Sequence, residues 1–148
     1  MKYQLIIKSV LHQLGIGTSY NGYDYILYGI TLIMENEHLL KGITKILYYD
    51  IAKEFQTSNL CVERSIRRVI DAIWKDTSSN EQLLKDIFGN RYLNTKPSNK
   101  VFLDMLHNYV KNYNLLIQLS LSEETICPFS KDTCFVYNEL LRKLSHMN

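Results

Sequence analysis

The stretch LCVERSIRRVIDAIWK, residues 60–75, decides the fold because its side chains sort into two faces at helical spacing. Successive side chains of an α-helix rotate by about 100°. This rotation places six apolar side chains on one stripe, namely Val62, Ile66, Val69, Ile70, Ile73 and Trp74. The other face carries Arg64, Arg67 and Arg68, with Glu63 at the seam. The stretch therefore predicts an amphipathic helix with one core-facing side and one basic side.

The residues before this helix indicate the structural motif to which it belongs. Residues 50–55 predict a short helix, in which Ala52 is small enough for another helix to approach. The polar residues 56–59 follow as a turn, and Ser58 or Asn59 can cap the next helix by accepting a hydrogen bond from its first turn. A short helix, a polar turn and an amphipathic helix form the pattern of a helix-turn-helix.

The remaining residues also predict helices, at about 3–14, 23–34, 81–88, from 100 onwards and at 132–147. Residues 23–34 are rich in Tyr and Ile, which also suits a strand, but their isoleucines recur at helical spacing. We therefore predict an all-α fold. It consists of a compact multi-helix domain containing the helix-turn-helix, over residues 1–112, and a helical C-terminal extension over residues 113–148.

Composition excludes several classes of protein. The chain has 148 residues, of which 46% are apolar and 22% charged, as in an ordinary globular domain. No apolar run approaches the ~20 residues of a membrane span, and the N-terminus lacks the cleavage site of a signal peptide. Three scattered cysteines, Cys61, Cys127 and Cys134, indicate reduced thiols. We expect a cytoplasmic protein without a membrane partner.

Motifs for catalysis or metal binding are not found in the sequence. The four histidines are far apart in the chain and form no HxxH or HExxH motif. Cys127 and Cys134 have no CxxC companion, and the chain contains neither a phosphate-binding glycine loop nor a nucleophile elbow. We therefore expect no enzymatic activity, no cofactor and no metal site.

Basic charge is concentrated in the predicted helix-turn-helix. Residues 41–75 hold seven basic and four acidic residues, and the rest of the chain holds ten and eleven. In a helix-turn-helix the second helix enters the major groove, where Arg donates two hydrogen bonds to guanine and Glu accepts one from cytosine. The competing interpretation is an ordinary solvated helix, neutralised by Glu63–Arg67 and Arg64–Asp71 pairs.

Two strings in this region resemble a known family. They are ITKILYYDIAKEF at residues 43–55 and VERSIRR at residues 62–68. With Phe88-Gly89 and the run KPSN at residues 96–99, they resemble the C-terminal effector domain of the sporulation response regulator, stage 0 sporulation protein A. The resemblance covers about residues 1–112. It implies a six-helix domain that binds a short DNA box of the form TGTCGAA, often as tandem copies.

The resemblance also implies which residues contact DNA. Glu63, Arg64 and Arg67 match the family's recognition helix, and Arg68 stands where the family commonly has His. Cys61 replaces a family Arg that reads guanine, and a thiol cannot make that two-bond contact. The candidate DNA-binding residues are Ser58, Asn59, Cys61, Glu63, Arg64, Arg67, Arg68 and Lys75.

Three further expectations concern partners. The chain starts at the first helix of the effector domain, so we expect the family's phosphoacceptor receiver domain to be absent. The extension at 113–148 either packs on its own domain or forms a homodimer through its helix. Residues 75–84 are spaced differently from the family, in which this neighbourhood contacts a sigma subunit of RNA polymerase.

Two functions follow as hypotheses. The first is a sequence-specific DNA-binding regulator of transcription that competes with the full-length sporulation regulator for its boxes. The second is a protein-interaction module that binds another regulator or RNA polymerase. The basic face of residues 60–75 favours the first hypothesis, whereas Cys61 and the added extension leave room for the second.

Overall fold

The computed structural model describes residues 2–121 and 142. Over residues 2–121 it contains no strand and six α-helices: α1 (Lys2–Gln13), α2 (Asn21–Glu35), α3 (Tyr48–Glu54), α4 (Asn59–Lys75), α5 (Glu81–Phe88) and α6 (Asn99–Leu121). Short 3-10 turns cover Glu37–Leu40, Ser78–Asn80 and Asn90–Tyr92. The all-α fold class is confirmed. The helix predicted at 132–147 lies outside the described residues, apart from position 142.

The helix ends follow local signals. Gly15, two residues after α1, and Gly89, directly after α5, adopt positive φ angles of 84° and 79°, a conformation that favours glycine. Ser58, one of the two predicted caps of α4, and Ser98, before α6, act as N-caps: their hydroxyls accept hydrogen bonds from the backbone N–H groups of Cys61 and Val101. The chain therefore starts α4 and α6 with the same device.

Helix α3 begins earlier than the sequence predicts, and α6, predicted from about residue 100 onwards, is long. A π-helical turn, Ile43–Leu47, leads directly into α3, which therefore starts at Tyr48 rather than at about residue 50. Helix α6 continues to Leu121, past the predicted boundary at residue 112, and Tyr113 and Asn114 are buried. The core thus extends along α6 beyond that boundary.

The core is built around α4. Its predicted apolar stripe is buried, with only Trp74 partly exposed. Trp74 donates a 2.6 Å hydrogen bond from Nε1 to the carbonyl of Tyr92 and packs edge-on against Phe88 and Phe102. These contacts tie the C-terminal half of α4 to α5 and α6 and leave the opposite face of α4 directed outward.

A buried histidine joins α6 to the turn after α2. His107 is only 2% exposed, and its Nε2 lies 3.5 Å from Oε1 of Glu37, which also accepts a 2.7 Å hydrogen bond from Lys111. Burial lowers the pKa of His107, although the nearby carboxylates of Glu37 and Asp104 oppose this effect. The folded domain therefore favours the neutral imidazole.

We expect the domain to lose stability as the pH falls below about 6.5, because the unfolded chain then binds a proton at residue 107 more readily than the folded chain does. His107→Gln should flatten this part of the profile, and His12→Gln, which replaces an exposed histidine, serves as the control. Thermal unfolding of the three chains from about pH 8 to about pH 5 measures the effect. An unchanged profile for His107→Gln would contradict the assignment.

Candidate DNA-binding surface

Helices α3 and α4 form a helix-turn-helix with a well-defined turn. The N–H of Thr57 donates a 2.9 Å hydrogen bond to the carbonyl of Ala52, and Gln56 has a positive φ of 54°. This arrangement is a Schellman-type helix end, in which the left-handed residue reverses the chain. The turn therefore sets the direction in which α4 leaves α3.

An aromatic anchor holds this turn against α2. The ring of Phe55 packs edge-on against Tyr25 and Tyr28, with centroid separations of 5.2 and 5.7 Å. Edge-to-face pairs of this kind stabilise by about 0.5–1.5 kcal/mol beyond the area that they bury. The N-terminus of α4, where Ser58 acts as cap and Asn59 is the first residue, is thus held by packing as well as by hydrogen bonds.

The outward face of α4 presents unpaired basic side chains. Glu63, Arg64 and Arg68 are exposed. Neither Arg64 nor Arg68 forms an ion pair with any other residue that the structure describes. Lys75 is also exposed but lies in the last turn of α4, about 16 Å along the axis from Arg64. Arg64 and Arg68 are adjacent, one turn apart, whereas Lys75 is too distant to contact the same base pair.

Arg67 has a different environment from the other two arginines. Its Nη1 donates a 2.7 Å hydrogen bond to the carbonyl of Pro97, and its Nε lies 3.7 Å from Asp71. Asp71 also pairs with Lys96 at 3.0 Å. The Arg64–Asp71 pair of the competing interpretation is therefore not formed, because Arg67 and Lys96 occupy that carboxylate. Arg67 holds the loop before α6 against α4.

The start of α6 lies beside this face, which the sequence did not indicate. Nδ2 of Asn99 donates hydrogen bonds to the Tyr48 hydroxyl and to the Glu63 carbonyl, at 3.0 and 3.1 Å, and so links α6 to α3 and α4. Lys100 borders the cavity of about 430 Å³ between α4 and α6, together with Arg64. Ser98, with Lys100 two residues on, is visible in the sequence, but the proximity of both to α4 depends on the tertiary fold.

Cys61 lies at the corner between α2 and α4 and is half-buried. A hydrogen bond with Thr57 is the main cause that lowers the pKa of its thiol, and hydrogen bonds with Ser65 and Tyr25 act in the same direction. A thiol is a single weak donor. Position 61 therefore offers no paired donors to a base edge.

Other kinds of site find little support in the described part of the chain. Residues 2–121 and 142 contain no cluster of three or more His, Cys, Asp or Glu side chains suited to a metal ion. Within the same residues no helix combines the length and apolar character needed to cross a membrane.

Comparison with known families agrees with this architecture. The family model described as "Sporulation initiation factor Spo0A C terminal" matches residues 7–110, more than two thirds of the chain. The matched residues include the whole helix-turn-helix and end within α6. The chain therefore belongs to the family of the C-terminal, DNA-binding effector domain of the sporulation initiation factor Spo0A.

Proposed function

We propose that this protein regulates transcription by placing α4 in the major groove of specific DNA sites. The observation that carries the proposal is the outward face of α4, where Arg64 and Arg68 have no protein partner among the described residues while the opposite face is buried. Unpaired guanidinium groups beside a capped helix N-terminus suit both base edges and phosphates.

The geometry suggests a division of roles among the candidate residues. Arg64 and Glu63 lie in the N-terminal half of α4, the part that contacts base edges in helix-turn-helix proteins. Arg68, Lys75 and Lys100 contact phosphates on either side. Arg67 positions the loop at residues 96–98 and also lines the cavity beside Arg64. Ser58 and Asn59 lie at the N-terminus of α4, so that the positive end of the α4 dipole is near the phosphate backbone of the DNA.

In this proposal the chain acts in the cytoplasm, at the nucleoid, and competes with the full-length sporulation regulator for shared boxes. Homodimerisation and contact with RNA polymerase are further proposals. Apart from position 142, the C-terminal helix assigned to dimerisation falls on residues outside those described. Ile46 and Tyr49, exposed apolar side chains before and within α3, favour the second candidate function, a protein-interaction module.

Selection of bound sequences from a random pool of duplex DNA, using the 148-residue protein, tests the proposal most directly. We expect recovery of a defined motif. Recovery of no motif, from protein that is folded by circular dichroism, would favour the interaction module instead.

Lys75→Ala should weaken binding to every DNA sequence alike and reduce the slope of log affinity against log salt by about 0.9, the value of one phosphate contact. Position 75 lies too far along α4 to share a base pair with Arg64, so the preferred motif should stay the same. Fluorescence anisotropy at several salt concentrations, with Lys8→Ala on α1 as control, measures both quantities. A changed motif would contradict the phosphate assignment.

Cys61→Arg should add discrimination at one base pair of the selected motif, by about 1–3 kcal/mol, because arginine restores a two-bond contact with guanine. The natural protein should show little preference there. Competition binding with all four bases at each position gives the comparison, and Cys61→Ser controls for loss of the thiol. A strong preference for that guanine in the natural protein would contradict the prediction.

A further inference from the structure

A second groove lies between α5 and α6, away from the basic face of α4. It has a volume of about 290 Å³, and its lining includes Asp86 and Ile87 from α5 with Met105, Tyr109, Tyr113 and Leu116 from α6. Among the described residues of the lining, Asp86 is the only one that is charged at neutral pH. The groove therefore combines apolar side chains and neutral polar ones, among them Asn108 and Asn112, with the Asp86 carboxylate.

Asp86 and Tyr113 place buried polar atoms in this groove. The Asp86 side chain is only 12% exposed, and while Gln82 donates a hydrogen bond to its Oδ1, its Oδ2 has no hydrogen bond within the described residues. The Tyr113 hydroxyl is likewise buried without a hydrogen bond in that part of the chain. Burial and then the Asp86 charge raise the pKa of Tyr109 to about 12. A largely buried carboxylate is stabilised by a cation that lies beside it.

Arg142 supplies such a cation from the far end of the chain. Its Nη1 lies 3.9 Å from Asp86 Oδ2, and its side chain remains 43% exposed. The same guanidinium lowers the pKa of Tyr109, which opposes the effects of burial and of Asp86. A guanidinium suits this groove better than an ammonium, because its planar fork can serve a carboxylate and stack on aromatic rings.

We propose that the C-terminal segment around Arg142 docks in the α5–α6 groove of its own chain, with Arg142 as the anchor. This occupant follows from the Arg142–Asp86 pair, which joins two residues of one chain, and from the charge complementarity of the groove. The family match ends at residue 110, so the docked segment is a surface that this chain adds to the family's domain.

Docking at this place leaves the basic face of α4 open. The groove is centred near Tyr109, about 16 Å along α6 from Ser98, which borders that face. Loss of the anchor should therefore release the C-terminal segment without changing the affinity of the protein for a single DNA site.

Hydrogen exchange measured by mass spectrometry on the full chain tests the proposal. We expect Arg142→Gln and Asp86→Asn each to accelerate exchange in peptides covering residues 132–148 by about ten-fold, which corresponds to about 1.4 kcal/mol. The double variant should exchange no faster than either single one, because both remove the same contact. Lys143→Gln, an equal loss of charge at the adjacent residue, should leave exchange unchanged.

Charge-reversal variants distinguish docking of the C-terminal segment in the groove of its own chain from docking in the groove of a second copy. The chain that carries both Asp86→Arg and Arg142→Asp should regain slow exchange, and an equimolar mixture of the two single reversals should not. Recovery in the mixture would show that a second copy fills the groove and would overturn the proposal. Equal exchange in Arg142→Gln and Lys143→Gln would also overturn it, because Arg142 would then be no anchor.

Discussion

Gly22→Ala is expected to destabilise the domain by about 3 kcal/mol, although the same change at an unobstructed helical position stabilises by about 1 kcal/mol. Gly22 lies where α2 crosses α4. A Cβ atom at this position would lie 2.5 Å from the carbonyl oxygen of Ser65 and 2.6 Å from a methyl group of Val69. The first of these atoms belongs to the backbone of α4, so the recognition helix itself would have to move.

Gly29→Ala on the same helix provides a matched control. A Cβ atom there would lie 3.0 Å from Cδ1 of Ile51, the end of a side chain that can adjust. We expect its free energy of unfolding to stay within about 1 kcal/mol of the natural protein. Urea unfolding of the three chains measures the difference, and DNA binding should weaken only for Gly22→Ala. Equal stabilities for the two variants would contradict the close crossing.

The parts of the fold that sequence predicts well are those fixed by neighbouring residues. The stripe of residues 60–75 and the α4 helix agree to within one residue, because the apolar period and the Ser58 cap are local features. The glycines with positive φ that follow α1 and α5 are local features of the same kind. Local signals also identify the basic face of α4, although not which of its arginines are unpaired.

The remaining features depend on contacts between distant residues. Arg67 and Pro97 are separated by 30 positions, and their hydrogen bond forms only because the loop before α6 packs on α4. The i,i+4 rule allowed a Glu63–Arg67 pair, but Asp71 and the Pro97 carbonyl are the partners that the fold provides. The need for glycine at position 22 likewise cannot be predicted from the sequence, because it arises from the crossing of α2 with α4.

Arg64→Glu should reduce affinity for the selected DNA site by about 3 kcal/mol, or about a hundred-fold. The change removes a guanidinium that has no ion-pair partner among the described residues, and it places a carboxylate beside Glu63 on the face turned toward DNA. Base contacts of this kind contribute about 1–3 kcal/mol of discrimination, and repulsion from the phosphates adds to the loss. Preference for the selected motif should fall together with affinity.

Lys8→Glu makes the same change of charge on α1, which packs against α2 and α6. Comparison of the two variants therefore distinguishes the loss of a direct DNA contact from the change in net charge. If long-range attraction alone drew the protein to DNA, both variants would bind less tightly by similar factors, and added salt would remove the difference. If α4 reads the site, Arg64→Glu alone should lose the motif, at low and at high salt. Equal behaviour of the two variants would show that α4 does not recognise the site and that Arg64 acts only as part of a diffuse basic surface.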